Sequence, residues 1–91
     1  MYKITQYSLD KAKKLGVSIK PSVFGNYKLD VYMDTEYVTS IGDRRYSDYP
    51  TYIATHGKEY ADRRRKLYKA RHESDRHIPG TRGFFADKIL W

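Results

Sequence analysis

The 91-residue sequence has no cysteine, only three prolines and no long apolar run. Without cysteine the chain has neither a disulfide framework nor thiolate metal ligands, which is typical of proteins from a reducing compartment. No segment approaches the roughly 20 apolar residues of a transmembrane helix, and the first residues lack the apolar stretch of a secretory signal. We therefore expect a protein that is not secreted, has no membrane span and stays inside the cell.

Aliphatic residues are also sparse, so tyrosine must supply much of the apolar surface. Ten of the aromatic residues are Tyr, beside three Phe and one Trp. A chain of this length can build one small core, and we predict a single domain over residues 1–91. Tyrosine suits both a core and an interface, because its ring is apolar and its hydroxyl can stay at the wet edge.

Positive charge is the main excess in the composition. Lys and Arg number 18 against 11 Asp and Glu, which gives a net charge of +7. Residues 43–91 carry +5 of this charge and every arginine of the chain. Because the planar guanidinium group matches phosphate and carboxylate, this half is predicted to make the contacts and the first half to act as scaffold.

Hydrophobic periodicity and turn residues predict the order of the elements. Ser8 is expected to cap the first helix and Gly16 to end it, while Pro50 marks the start of a later one. Turn residues at 34–36 would close a hairpin over residues 28–41. The predicted elements are a helix over 9–15, strands over 17–20, 28–33 and 37–41, a helix over 50–55 and a long basic helix over 58–74.

These elements indicate an α+β fold with a small antiparallel sheet of two or three strands and a short N-terminal helix. A bare hairpin is marginal in water, so its apolar face needs a cover. The long basic helix in the C-terminal half offers a narrow stripe of Tyr60, Leu67 and Tyr68. The apolar ending offers Phe85, Ile89 and Trp91, and Trp91 is expected to be buried or at an interface.

The cations of the long helix and its surroundings are the candidate binding residues. Consecutive helical residues lie about 100° apart, so no flat ligand contacts all of residues 63–66. Lys58, Arg65 and Lys69 can share one side and form a stripe that follows a phosphate backbone. An ordinary solvated helix face is the alternative. The full candidate set is Arg44, Arg45, Lys58, Arg63, Arg64, Arg65, Lys66, Lys69, Arg71 and Arg82.

Tyrosines interleaved with these cations suggest a second kind of contact. Their rings can stack on single-stranded bases or pack beneath arginine side chains. Burial in the core or in a protein interface, with the hydroxyl at the wet edge, is the favoured explanation for most of them. The candidate interface aromatics are Tyr46, Tyr49, Tyr52 and Trp91.

No pattern in the chain indicates catalysis. The three histidines, His56, His72 and His77, match no metal-binding spacing, and no cysteine supports them. The close carboxylate pairs have no basic or nucleophilic partner at a meaningful spacing. No helix-turn-helix, zinc-finger or RRM signature is present for reading bases. We expect no enzymatic activity, no metal and no cofactor.

Several segments of the chain form a distinctive pattern, namely Tyr46-Ser47-Asp48-Tyr49, Gly57-Lys58-Glu59-Tyr60-Ala61-Asp62-Arg63-Arg64, Tyr68, Arg71-His72 and Leu90-Trp91. Together they resemble a family of small uncharacterised proteins encoded by large double-stranded DNA viruses. The likeness covers roughly residues 29–91, and no established activity comes with the family. It implies a viral origin, with the virion or the host-cell interior as the location.

Two functions are weighed on these grounds. The first is a minor structural protein of the virion that contacts capsid components or the packaged genome through an Arg- and Tyr-rich surface. The alternative is a free, sequence-independent nucleic-acid-binding protein, with DNA and RNA both open. Inhibition of a host nucleic-acid enzyme is a third, and the Tyr-rich surface also leaves an oligomer open.

Overall fold

The computed structural model describes residues 2–91, which form four helices and one three-stranded antiparallel sheet. The elements in chain order are α1 (Gln6–Leu15), β1 (Ser18–Pro21), β2 (Tyr27–Met33), β3 (Glu36–Asp43), α2 (Tyr49–His56), α3 (Lys58–Arg71) and α4 (Arg82–Leu90). The predicted α+β class, the antiparallel sheet and the N-terminal helix are confirmed. None of the helices in residues 2–91 is long and apolar enough to cross a bilayer.

The sheet has the strand order β1-β2-β3, with β2 in the centre. The predicted hairpin joins β2 to β3 through a tight turn in which Asp34 has a positive φ of 56°, a conformation that Asp tolerates well. Leu29 and Val31 are fully buried, whereas Met33, which strict alternation along β2 would place on the same face, is 50% exposed. The pairing register shifts between Val31 and Tyr32, which ends the simple alternation before Met33.

Helices α1 and α4 cover the apolar face of the sheet. The core cluster consists of Ala12, Val17, Ile19, Leu29, Val31, Ile41, Phe85, Ala86, Ile89 and Leu90. The predicted roles of Phe85 and Ile89 as cover are confirmed. Leu67 is 59% exposed, so its predicted place in the cover is wrong. Helix α3 packs mainly against α2, because its apolar side chains are few while α4 presents a dense apolar run.

Helix α1 begins earlier than predicted, because Thr5 and not Ser8 is its N-cap. The Thr5 side chain accepts a hydrogen bond from the backbone N–H of Ser8 at 3.2 Å. The hydroxyl of Ser8 is buried and donates to the carbonyl of Ile89 at 2.9 Å, which joins α1 to α4. The apolar ending, in turn, is a regular helix whose N-cap is Thr81.

A buried polar network joins the start of α2 to the sheet. Asp48 Oδ2 accepts hydrogen bonds from Lys28 Nζ at 2.9 Å and from the Tyr2 hydroxyl at 2.7 Å. Its Oδ1 accepts from the backbone N–H of Thr51 at 3.1 Å and so caps α2. Burial opposes ionisation of Asp48, but the charge of Lys28 and these hydrogen bonds together lower its pKa. The network therefore fixes the α2–α3 pair against β2.

Candidate functional site

Each cation of the predicted stripe on α3 lies near a carboxylate. Asp62 lies 2.7 Å from Lys58 and 3.5 Å from Arg65. Lys69 Nζ lies 2.8 Å from Asp87, a buried carboxylate that needs cationic partners. The three cations lie on one side of the helix as predicted, but they share two carboxylates, so their charge is partly compensated within the chain.

The arginines after β3 are also engaged locally. Arg44 donates hydrogen bonds to the carbonyls of Ser22 and Tyr27, both at 2.7 Å. Arg45 pairs with Asp43 at 2.7 Å, and these hydrogen bonds hold the pKa of Asp43 at about 2. Both arginines therefore order the chain between β3 and α2.

Two candidate cations of α3 are exposed and separate from the rest. Arg63 lies 3.7 Å from Glu59, one turn earlier on the helix. Lys66 is exposed, and no carboxylate in residues 2–91 lies within ion-pair distance of it. An exposed ion pair on a helix surface contributes little stability. Neither side chain lines the pocket described next.

Three other arginines converge on one pocket. Across residues 2–91, no carboxylate lies within 4.0 Å of the guanidinium groups of Arg64, Arg71 or Arg82. Arg64 and Arg71 are two helical turns apart on one side of α3. Arg82 comes from the start of α4, where its Nε–H donates to the carbonyl of Ser40 at 2.9 Å. All three line a pocket of about 650 Å³, here called the arginine pocket.

The helical geometry of α3 explains why its cations separate into two sets. Ala61 and Tyr68 form the buried line of the helix. Arg64 and Arg71 lie about 60° to one side of this line, toward the pocket. The stripe of Lys58, Arg65 and Lys69 lies on the other side, where the carboxylates are. The i, i+4, i+7 pattern of Arg64, Tyr68 and Arg71 is present in the sequence, but the binding stripe was predicted on the other side of the helix.

Stacked rings form the helical wall of the arginine pocket. Trp91 stacks on Tyr68 with ring centroids 4.3 Å apart and planes 8° from parallel. Tyr52 lies beyond Trp91 at 6.2 Å, and His72 lies beyond Tyr68 at 4.4 Å. These four residues are called the aromatic ladder. The expectation that Trp91 would be buried or at an interface is consistent with its place, half-buried and lining the pocket.

The sheet side of the pocket carries two further tyrosines. The guanidinium of Arg82 lies 4.7 Å from the ring centroid of Tyr27, within cation–π distance. Tyr46 is 66% exposed, and among residues 2–91 no other aromatic ring lies against it. Tyr49, by contrast, is only 4% exposed and its hydroxyl donates to Asp62 at 2.6 Å. Tyr49 is therefore buried between α2 and α3, outside the core cluster of the sheet, and is not an available interface aromatic.

The electrostatic balance of the pocket is positive. Its lining carboxylates are Asp43, which Arg45 already engages, and Asp75, which lies 3.5 Å from His72 Nδ1. Burial raises the pKa of Tyr68 to about 12, with the charges of Asp87 and Asp75 adding to the effect. The Tyr68 hydroxyl therefore stays protonated at neutral pH. Three arginines without carboxylate partners leave the pocket suited to an anion.

The remaining histidines lie away from the arginine pocket. His56 stacks on Tyr60 at 4.4 Å, and His77 contacts Glu73 at 2.7 Å. Within the described part of the chain, no three His, Asp or Glu side chains are grouped so that they could hold a metal ion.

The chemistry offered by the pocket is recognition of an anion that carries a planar group. Guanidinium groups bind phosphate or carboxylate oxygens, and the aromatic rings offer stacking surfaces. Arg82 and the tyrosines of the sheet side lie far from α3 in the sequence, so no local motif could have placed them together. A comparison of the chain with protein-family models, curated proteins and solved structures finds no match.

Proposed function

We propose that this protein is a non-enzymatic, sequence-independent nucleic-acid-binding protein that contacts phosphates through the arginine pocket. The observation that supports this proposal most directly is the convergence of Arg64, Arg71 and Arg82 without carboxylate partners. Most of the other candidate cations are engaged within the chain and cannot add equally to binding. The net charge of +7 adds long-range attraction for a polyanion.

The proposal has a quantitative consequence for salt dependence. Each neutralised phosphate releases condensed counterions, so the logarithm of affinity falls linearly with the logarithm of salt concentration. Three phosphate contacts predict a slope of about −2 on a single strand and about −3 on a duplex. Dissociation constants of about 10⁻⁴ to 10⁻⁶ M are typical of such non-specific binding at physiological salt.

Fluorescence anisotropy of labelled oligonucleotides across a salt series tests this proposal. Arg64→Glu combined with Arg71→Glu should weaken binding by at least about tenfold and reduce the salt slope by about 1.4 on a single strand and about 1.8 on a duplex. The matched control is Lys13→Glu combined with Lys14→Glu on α1, which changes the net charge equally at exposed positions outside the pocket. An equal loss in the control would mean diffuse attraction instead of a site. No binding by the unmodified protein would refute the proposal.

A virion-associated structural role is the second proposed function, and a separate surface favours it. Phe24, Met33 and Tyr37 are each about half exposed, and the rings of Phe24 and Tyr37 lie 5.6 Å apart. Clustered exposed apolar residues of this kind mark protein-interaction surfaces. The expected partner is a capsid component. If particles washed in high salt contain no stoichiometric amount of this protein, the structural role is wrong.

A further inference from the structure

We infer that the arginine pocket holds one unstacked nucleobase, so that the ligand is a single strand and not a duplex. The inference rests on the proposed function, because it assumes that the three arginines contact phosphates. It specifies the nucleobase as the group that enters the pocket, which phosphate binding alone does not identify. The juxtaposition of unpaired arginines and aromatic rings in one cavity is the observation on which it depends.

The dimensions of the pocket suit such a group. Its volume of about 650 Å³ lies within the roughly 300–1,000 Å³ typical of small-ligand sites. A flat surface of cations would serve a polyanion backbone without any cavity. A cavity of this size accommodates a base together with its sugar, while the flanking phosphates remain near the rim.

The ring of Tyr46 is exposed enough to offer a stacking surface, although the guanidinium of Arg45 lies 5.7 Å from its ring centroid. It is 66% exposed, and no other aromatic ring in residues 2–91 packs on it, whereas the rings of the aromatic ladder cover one another. A base stacked on Tyr46 would shield that ring from water and lie against the ladder. Base–aromatic stacking of this kind raises affinity about 5- to 150-fold and tolerates any base.

Two of the arginines are held against rings of the same pocket. The guanidinium of Arg64 lies 5.5 Å from the ring centroid of Tyr52, and that of Arg82 lies 4.7 Å from Tyr27. These contacts keep both guanidinium groups beside the space that a base would occupy. The phosphates on either side of the base would then meet cations whose positions are already set, which reduces the entropy lost on binding.

Duplex DNA does not satisfy this arrangement. Its bases are stacked and paired, so a base must first be extruded before an aromatic pocket can hold it, at a cost in free energy. A single strand has unstacked bases that enter freely. The pocket should therefore discriminate by strandedness even though the arginines alone would not.

Trp91 makes the experiment direct, because it is the only tryptophan and lines the pocket. The unmodified protein is titrated with a short oligothymidylate, with a strand of the same length made of abasic sites, and with a duplex. Anisotropy gives the affinities, and Trp91 fluorescence reports occupancy of the pocket. We expect the oligothymidylate to quench Trp91 and to bind at least about fivefold more tightly than the abasic strand.

Tyr46→Ala is the informative variant, because this exposed side chain can be removed with little effect on folding. It should abolish the preference for the base-bearing strand and leave the salt slope unchanged. Tyr37→Ala, at another exposed tyrosine that does not line the pocket, is the matched control and should keep the preference.

Each of the other outcomes contradicts the base pocket, the proposed function or both. If the abasic strand or the duplex binds as tightly as the oligothymidylate with the predicted salt slope, phosphate binding stands and the base pocket is wrong. If the protein binds none of the three, the proposed function fails as well. If O-phosphotyrosine quenches Trp91 at lower concentration than thymidine monophosphate, the pocket serves a phosphorylated side chain and the inference is wrong.

Discussion

Among single residues, Asp48 does more for the fold than any property of the sequence had suggested. The sequence offered it only as a turn former or as half of an unconvincing carboxylate pair. In the structure it is fully buried, caps α2 and accepts hydrogen bonds from Lys28 and Tyr2. Its place two residues before Pro50 is a local signal for a helix cap that the sequence analysis did not use, whereas Lys28 and Tyr2 come from distant segments that no local pattern connects to it.

Asp48→Asn is predicted to lower the free energy of unfolding by about 3–5 kcal/mol, because it leaves the Lys28 ammonium buried without a counter-charge. Asparagine can still cap the helix, so the loss would report the ion pair. Urea denaturation at neutral pH measures it. Asp43→Asn, at a surface carboxylate paired with Arg45, is the control and should change stability little.

The same carboxylate predicts an acid limb in the stability profile. The pKa of Asp48 is lowered in the folded state, so its contribution is present above the ordinary carboxyl pKa of about 3.9. It is lost as pH falls through the lowered folded-state value. Denaturation curves of the Asp48→Asn variant should lack this component. An unchanged acid limb would show that other carboxylates cause it.

Gly42→Ala is predicted to destabilise the protein by about 2–4 kcal/mol, by backbone strain and overpacking together. Gly42 has a φ of 77°, and an added Cβ would lie 2.7 Å from Leu90 Cδ1 and 3.0 Å from Lys28 Cδ. Gly80→Ala, with a φ of 83° and nothing within 4 Å, should lose only about 1–2 kcal/mol. Chemical denaturation compares the two, and equal losses would exclude the packing contribution.

Among the elements, α4 covers the sheet and α3 carries most of the candidate cations. The sequence analysis had predicted both roles mainly for the long helix. Strands and turns were predictable, because alternation and turn residues are local signals. Tyr68 of the predicted stripe is buried, but the buried line of α3, formed by Ala61 and Tyr68, faces α2 and the end of α4. Which neighbour a helix packs against depends on tertiary contacts that no periodicity encodes.

Substitution at Leu67 and Ile89 tests this division directly. Leu67→Ala on the exposed face of α3 should change the free energy of unfolding by less than about 0.5 kcal/mol. Ile89→Ala on α4, which empties a fully buried position, should cost about 2–5 kcal/mol. Both are read from urea denaturation. Similar losses at the two positions would contradict the assignment of α4 as cover.

For the whole molecule, the arginine pocket lies where two packing units meet. One unit is the core of α1, the sheet and α4, and the other is the α2–α3 pair. The sequence predicted the basic half as the contact half and included Arg64, Arg71 and Arg82 in its candidate set, and binding measurements are needed to test that prediction. It could not reveal which cations are neutralised, because that depends on carboxylates brought close by the fold.

This construction predicts uneven protection of backbone amides in hydrogen exchange. Helices α2 and α3 contribute no residue to the core cluster, so their amides should exchange faster than those of β2 and α4 through partial opening. Binding of a short single strand should slow exchange in α3. Exchange measured by mass spectrometry resolves these segments. Equal protection of α3 and β2 would mean that the molecule opens only as one unit.

The buried pair of Lys28 and Asp48 also restricts how this fold can diverge. A change at either position alone strands a charge away from water, whereas replacing both by well-packed apolar residues can be neutral. An evolutionary path that replaces one of the two residues at a time therefore passes through an unstable protein with one buried, unpaired charge. Proteins that share this fold by descent should therefore carry either both charges or neither, and the two positions should vary together.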